Sequence, residues 1–343
     1  MKLKLSIILL LFFLLVYSCI EPFDFNIKGD KSKSLVVEGL ITNEPGPYFV
    51  YLTRTTDYSS TIESIEVVEG ANVIISDDLG NSETLTETRP GIYETKPDSI
   101  QGIQGRSYKV IIETPDGKQY ESKPELLSSV PEIDSIYYEF QEKQTPDGTP
   151  DNFINVYIDT STPENGGNFF LLKWHGIYEV FTQPEDYIYR EAPAPKPCCA
   201  QCWVSEYNTD LIIVDDKYVI GNKIEKQKVI SIPANSRYFS YKYYAIIEQL
   251  SLTKKAYDYY DLTSKQINYA GSFFEPPPAF IKGNIQNILD PKDHVFGYFG
   301  ASSITKTSIF IPRSAVPYYM GPWIMPDDCR TISNSTTVRP SFW

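Results

Sequence analysis

The chain has 343 residues and carries 31 Lys and Arg against 44 Asp and Glu. The net charge of −13 at pH 7 disfavours nucleic acid and anionic lipid headgroups as partners, because an acidic surface repels both. The length suffices for two domains or for one large domain with insertions. The 26 Tyr and 18 Phe residues beside 25 Pro, set in short alternating runs, are typical of β-rich extracellular proteins.

The first 19 residues have the pattern of a lipoprotein signal peptide. Lys2 and Lys4 precede an apolar run over 7–16, which is too short to span a bilayer. Cys19 follows where the run ends, so residues 1–18 are predicted to be removed and the Cys19 thiol to carry a diacylglyceryl group. An ordinary signal peptide with a chance cysteine is the alternative. Acyl chains would anchor the protein durably, because each buried methylene contributes about 0.8 kcal/mol.

A short tether and a β-rich domain are predicted to follow. Residues 19–33 form the lipidated tether. Residues 34–130 contain about seven short alternating strands separated by turn signals, which is typical of an immunoglobulin-like β-sandwich. The segment 77–81 faintly resembles a calcium loop, but it lacks the remaining ligand positions and is predicted to be a turn. The clearest strands are predicted at 34–41, 48–53, 72–76, 91–95, 108–114 and 119–122.

Residues 131–343 are predicted to form a larger β-rich domain. Its best helix candidate is 253–269, where apolar residues fall near one face and Thr253 is placed to cap the N-terminus. A Pro-rich insertion at 192–203 carries three cysteines. The predicted strands lie at 137–140, 152–160, 168–181, 241–250, 295–300 and 307–311. The fold is therefore predicted to be mainly β, with an N-terminal immunoglobulin-like β-sandwich followed by a larger β-rich domain with one or two helices.

Four cysteines besides Cys19 are predicted to form disulfides. Cys198, Cys199, Cys202 and Cys329 make an even number in a chain that carries an export signal. Adjacent cysteines rarely bridge each other, because the peptide between them would be strained. Two bridges are therefore expected, one from Cys329 to a member of the cluster and one within the cluster. A thiolate metal site is the alternative, whereas the disulfide interpretation includes no metal.

No catalytic residues and no cofactor are predicted, so the chain is not expected to be an enzyme. Of its two histidines, His175 lies within a predicted strand and His294 in an acidic turn. The sequence contains no Gly-x-Ser-x-Gly, no His-Glu-x-x-His and no phosphate-binding Gly-rich loop. A triad built from distant residues stays open.

Aromatic residues on predicted loops are the candidates for contact with a ligand or partner, because large rings dominate binding surfaces. Packing in the core is the alternative for each of them. These candidates are Trp203, Phe273, Phe274, Tyr318, Tyr319 and Trp323.

Local signatures run along most of the mature chain, and the most specific is the cluster Cys198-Cys199-x-x-Cys202-Trp203. The other stretches lie at 19–23, 35–42, 277–285, 295–299, 328–330 and 340–343. Together they resemble the Bacteroidota outer-membrane lipoproteins of the domain of unknown function 4249 family. Acidic residues soon after the lipidated cysteine, Glu21 and Asp24, also resemble signals for the outer face of the outer membrane, although they suit a plain linker equally well.

The resemblance implies a cell-surface lipoprotein that works with a TonB-dependent outer-membrane receptor. By analogy with the lipoprotein lids of glycan-uptake systems, such a protein would capture or gate a ligand. The N-terminal sandwich would then act as a stalk, and the larger domain would contact the receptor or its ligand. The alternatives are a surface hydrolase, a thiolate metal-binding lipoprotein, and an adhesin or envelope-assembly part.

Overall fold

The strands of the N-terminal part follow the alternation of apolar and polar residues. The computed structural model describes residues 33–55, 66–145, 148, 150–162, 168–217, 222–269 and 280–343. In the first strand, Leu35, Val37 and Ile41 are buried while Glu38 is exposed, which is the period of two of a half-buried strand. The first ten strands are β1 Leu35–Thr42, β2 Phe49–Arg54, β3 Glu66–Val67, β4 Asn72–Asp77, β5 Ser82–Thr84, β6 Thr86–Arg89, β7 Ile92–Glu94, β8 Ser107–Glu113, β9 Gln119–Ser122 and β10 Glu125–Leu126.

The rest of the chain adds thirteen strands and, within the described residues, one α-helix. The mainly β prediction is therefore confirmed. These elements are β11 Ile133–Gln141, β12 Phe153–Ser161, β13 Phe169–Phe181, β14 Ile188–Tyr189, β15 Ala192–Pro193, β16 Gln201–Tyr207, β17 Ile212–Asp215, β18 Lys223–Pro233, β19 Lys242–Leu252, α1 Lys254–Tyr269, β20 Ile285–Asn287, β21 Phe296–Ser302, β22 Ile304–Pro312 and β23 Ser335–Thr336.

Two sheets with one shared core form the first sandwich. One sheet has the order β21-β1-β2-β7-β6, with β3 beside β2, and the other has the order β20-β9-β8-β4-β5, with β10 beside β8. The structure thus differs from the predicted range 34–130, because β20 and β21 come from beyond residue 280. Strand β21 runs parallel to β1, and its Phe299 is fully buried among the residues of the first sandwich.

The second sandwich contains the long strands of the C-terminal part. One sheet has the order β11-β12-β18, and the other has the order β22-β19-β13-β16-β23, with β17 also paired to β13. The inner face of the larger sheet carries the fully buried rings of Tyr178 and Tyr243. Burial of such large aromatic side chains is a main source of stability in a β-rich domain.

The two sandwiches meet at the C-terminal end of β1. Only Ser303 separates β21 of the first sandwich from β22 of the second. Across the same junction, the Ile304 N–H donates to Asn43 Oδ1 at 2.8 Å and Lys306 Nζ lies 2.7 Å from Glu44 Oε2. From this junction β13 extends from Leu171 to Phe181. At a rise of about 3.3 Å per residue, Phe181 lies roughly 30 Å from the junction.

Helix α1 begins where the sequence predicts a cap. Thr253 Oγ1 accepts a hydrogen bond from the Ala256 N–H at 3.2 Å, which satisfies one of the free N–H groups of the first turn. Ala256 is buried against Leu250 and Leu252 of β19, so the helix packs at the junction. In the part of the chain that is described, no helix is both long and apolar enough to cross a membrane.

A buried carboxyl group lies beside the helix cap. Glu125 is 3% exposed and accepts hydrogen bonds from the Thr253 hydroxyl and, at 2.9 Å, from the Tyr298 hydroxyl. Burial raises the pKa of Glu125, and these hydrogen bonds oppose that effect only in part. The group connects β10, the start of α1 and β21.

Candidate functional site

A disulfide braces the far end of the second sandwich. Cys202 on β16 is bonded to Cys329, with their Cα atoms 5.8 Å apart and both side chains fully buried. The Cys329 N–H also donates to the Cys199 carbonyl oxygen at 2.9 Å. The bridge therefore ties β16 to a turn that lies 127 positions later in the chain.

The structure corrects the expectation for the neighbouring pair. Cys198 and Cys199 are bonded to each other, although adjacent cysteines were expected not to bridge. Their Cα atoms lie 3.1 Å apart, and the peptide between them is cis.

A carboxylate lies close to this pair without being a free ligand. Asp328 has an oxygen within 4.8 Å of the sulfurs of Cys198 and Cys199, a grouping that could hold a metal. The same carboxylate accepts hydrogen bonds from Arg330 Nε at 3.0 Å and Arg330 Nη2 at 2.6 Å. The Arg330 guanidinium holds the pKa of Asp328 far below its usual range. The two sulfurs are therefore joined in a disulfide, and the carboxylate is paired with Arg330, so none of the three groups is a free metal ligand in this arrangement.

A polar cavity of about 400 Å³ lies on the same side of the molecule and is lined by Glu206, Arg237 and Trp323. The Tyr178 hydroxyl donates to Glu206 Oε1 at 2.9 Å, and Arg237 Nε donates to the Tyr178 oxygen at 3.3 Å. Burial raises the pKa of Tyr178 well above its ordinary value, as does the nearby Glu206. Tyr178 therefore stays protonated and acts as a hydrogen-bond donor near neutral pH, not as a base.

The outer face of the larger sheet carries many exposed aromatic rings and is called the aromatic face below. The Tyr244 and Phe310 rings lie 4.3 Å apart, and Phe342 lies 4.8 Å from Tyr244. Lys242 Nζ lies 4.1 Å from the Phe310 ring centre, within cation–π distance. The aromatic face consists of the exposed Phe181, Tyr207, Tyr241, Phe310 and Phe342, the half-buried Tyr244 and Trp343, and the almost buried Trp203.

A buried carboxylate supports the rim of this face. Glu179 is 5% exposed and accepts hydrogen bonds from Gln201 and, at 3.3 Å, from Trp343 Nε1. These residues line a cavity of about 360 Å³ together with Trp203 and Arg339. The carboxylate thus fixes the indole of Trp343 beside the exposed rings.

The histidines have different surroundings. His175 stacks on Tyr207 of the aromatic face, with ring centres 4.4 Å apart. Its Nε2 is buried and has no hydrogen-bond partner within the described residues. Burial lowers the pKa of His175 from its ordinary value of 6.5, so the ring is neutral at pH 7. His294 lies 4.8 Å from the Phe280 ring.

The predicted contact residues are placed in different parts of the second sandwich. Trp203 is almost buried and lines the cavity of the aromatic face, whereas Trp323 is half-buried and lies beside Arg237. The Tyr318 hydroxyl donates to the Ala234 carbonyl oxygen. Tyr319 is 88% exposed. The remaining predicted residues lie outside the described part of the chain; they are Cys19, Phe273 and Phe274.

A cleft at the junction of the sandwiches was not predicted from the sequence. Its two lobes have volumes of about 370 Å³ and about 650 Å³ and share Glu38 and Tyr260. Glu38 lies on the outward face of β1, and Tyr260 lies on α1. A charged residue on an outward face is ordinary for a strand, so the sequence gives no signal that this one lines a cavity.

No curated protein matches the chain. The profile described as "Domain of unknown function (DUF4249)" matches residues 20–308. That range covers most of the chain, so the protein belongs to the DUF4249 family.

Proposed function

We propose that the protein is a lipid-anchored accessory protein at the outer face of the outer membrane, where it binds a TonB-dependent receptor and takes part in ligand capture or uptake. The pattern of residues 1–18 and Cys19 supports the anchor, because the apolar run ends where the cysteine stands. The resemblance of the chain to Bacteroidota lipoproteins supports the compartment and the partner.

The orientation of the first sandwich fits an anchor at the N-terminal side. Ser34 donates its N–H to Thr55 Oγ1 at the start of β1, whereas the second sandwich joins at the other end of that strand, beside Asn43. Strand β1 has eight residues, so the two ends lie roughly 25 Å apart. A lipid on Cys19 would therefore be joined to the end of β1 that lies away from Asn43, which agrees with the proposed stalk role of the first sandwich.

The aromatic face is the single observation that carries the proposed partner binding. Tyr241 is 56% exposed, Tyr207 59% and Phe342 46%, although large rings of this kind usually bury most of their surface. Exposed aromatic residues grouped on one rigid sheet are typical of protein interfaces, where a few rings supply most of the binding energy. Glu179 and Lys242 add polar contacts at the same place.

Co-purification tests this proposal. The tagged full-length protein would be extracted in mild detergent from its own cells, and the bound proteins would be identified by mass spectrometry. We expect a TonB-dependent receptor to co-purify. The combined Tyr241→Ala and Phe342→Ala variant should lose roughly 30-fold or more in receptor affinity, since truncating a ring at the centre of an interface costs about 2 kcal/mol or more.

Leu79→Ala provides the matched control. Leu79 is 75% exposed and lies in a turn of the first sandwich, so its truncation removes an exposed apolar side chain away from the aromatic face. This variant should keep its receptor. If no receptor co-purifies, or if uptake is unchanged after deletion of the gene, the proposed function is wrong.

A further inference from the structure

We propose that the cleft between the two sandwiches binds a small organic cation. An ammonium group would lie against Glu38 beside a cluster of packed tyrosine rings, and the apolar body of the ligand would fill the larger lobe. This inference names a ligand class for the proposed capture role and rests on that role. The tyrosine cluster consists of Tyr259, Tyr260 and Tyr298, whereas Tyr51 lines the smaller lobe.

The floor of the cleft is a cross-strand row on the first sandwich. Glu38 of β1 pairs with Tyr51 of β2 on one side and with Tyr298 of β21 on the other. Side chains directly opposite each other on neighbouring strands point to the same face of a sheet. The carboxylate of Glu38 is therefore flanked by two aromatic residues, and Tyr51 is itself 41% exposed.

The helix supplies the opposite wall. The Tyr259 ring lies 5.0 Å from the Tyr298 ring and 5.4 Å from the Tyr260 ring, and Tyr260 lies 6.2 Å from Tyr298. The Tyr298 hydroxyl donates to the buried Glu125, which holds that ring in a fixed position. Three rings from two separate elements thus pack against one another and line the lobe that Glu38 also lines.

The charge of Glu38 has no counter-ion within the described residues. Its carboxylate is exposed and makes no hydrogen bond or ion pair there. Among the described residues that line the larger lobe, Glu38 is the one charged side chain, while Lys173 lines the smaller lobe. A cation in the larger lobe therefore gains the carboxylate and avoids the lysine.

The chemistry of the lining selects an organic cation. A divalent metal needs several oxygen ligands at close range, and this lobe offers a single carboxylate. Tyrosine faces attract alkylammonium groups through the ring quadrupole, and aromatic cages are a known device for quaternary ammonium ligands. Beside the tyrosine cluster, the larger lobe is lined by several apolar side chains, which suit a hydrophobic body, and by Thr209, Thr263 and Gln266. The apolar side chains are Val36, Leu211, Ile267, Ile281 and Phe296.

Isothermal titration calorimetry on the detergent-solubilised full-length protein at low ionic strength tests the inference. The probes are choline, benzyltrimethylammonium, and 3,3-dimethylbutan-1-ol, the uncharged isostere of choline. We expect choline to bind at least about tenfold more tightly than the isostere. Benzyltrimethylammonium should bind more tightly than choline, because its ring reaches the apolar side chains. Added salt should weaken both cations.

Variants locate the site. Glu38→Gln should weaken choline binding by about tenfold or more while leaving the isostere unaffected. Glu113→Gln is the matched control, since Glu113 is an exposed carboxylate on the other sheet of the first sandwich. This variant should bind choline as tightly as the unmodified protein does. Tyr260→Leu keeps an apolar side chain but removes the ring, and it should weaken cation binding if far-UV circular dichroism shows an intact fold.

Three results would overturn the inference. They are equal affinity for choline and its isostere, unchanged cation affinity of Glu38→Gln, and no binding of either cation. None of these measurements involves the receptor. If no cation binds but the receptor still co-purifies, only the proposed ligand class is wrong. If a cation binds but no receptor co-purifies, only the proposed partnership with the receptor is wrong.

Discussion

Removal of the long-range disulfide gives the sharpest test of how the second sandwich is held together. The bridge between Cys202 and Cys329 spans 127 positions. Closing a loop of that length in the unfolded chain lowers its entropy by about 16 cal/mol/K, which corresponds to about 5 kcal/mol at 25 °C in the chain-entropy description. Replacing both cysteines by alanine should therefore lower the free energy of unfolding by about 2–5 kcal/mol, since measured values often fall below that ceiling.

The assay is equilibrium unfolding in guanidinium chloride, followed by tryptophan fluorescence with and without a reductant. The matched control replaces Cys198 and Cys199 by alanine. That bridge joins adjacent residues, so its loss should change the denaturation midpoint far less. Reductant should destabilise the control variant as much as the unmodified protein, and it should have little effect on the variant without Cys202 and Cys329. Equal stability of that variant and the unmodified protein would refute the reasoning.

Three further predictions concern strand β21 and the buried Glu125 beside it. Phe299→Ala should lower the free energy of unfolding by about 3–5 kcal/mol, because it empties a buried position in the first sandwich; a loss below about 1 kcal/mol in urea unfolding would contradict this. Gly297→Ala should destabilise the protein more than Gly321→Ala in the same measurement, because Gly297 has φ +92° and a Cβ there would collide with backbone, whereas Gly321 faces open space. Glu125 has a folded-state pKa raised above its ordinary value of 4.5, so above that pH the folded state binds more protons than the unfolded chain and loses stability as pH rises. Glu125→Gln should therefore gain stability relative to the unmodified protein as pH rises above 4.5, and a constant difference in denaturation midpoint would count against it.

Local structure was largely predictable because it depends on neighbouring residues. The alternation over 34–41 predicts a strand, and the structure has β1 at Leu35–Thr42. The pattern over 253–269 predicts a helix, and α1 spans Lys254–Tyr269 with the predicted Thr253 cap. In each case the period of buried side chains and the chemistry of the first turn are present in a short stretch of sequence.

The long-range arrangement was not predictable in the same way. Alternation in 295–300 indicates a strand with one buried face, but it does not say that Val36 will be the partner of Phe296. The cleft depends on the same pairing, because Glu38 and Tyr298 become neighbours only when β21 lies beside β1. Sequence spacing likewise left open which member of the cysteine cluster would pair with Cys329.

The position of β20 and β21 in the first sandwich has a consequence for how the chain folds as it emerges. A ribosome releases the polypeptide from its N-terminal side, so the early strands appear long before the late ones. The sheet that contains β1 lacks its parallel neighbour until Ser302 has emerged, after most of the second sandwich. The first sandwich is therefore incomplete until nearly the whole chain has been made. Folding of this kind is slow, since it depends on contacts between distant residues.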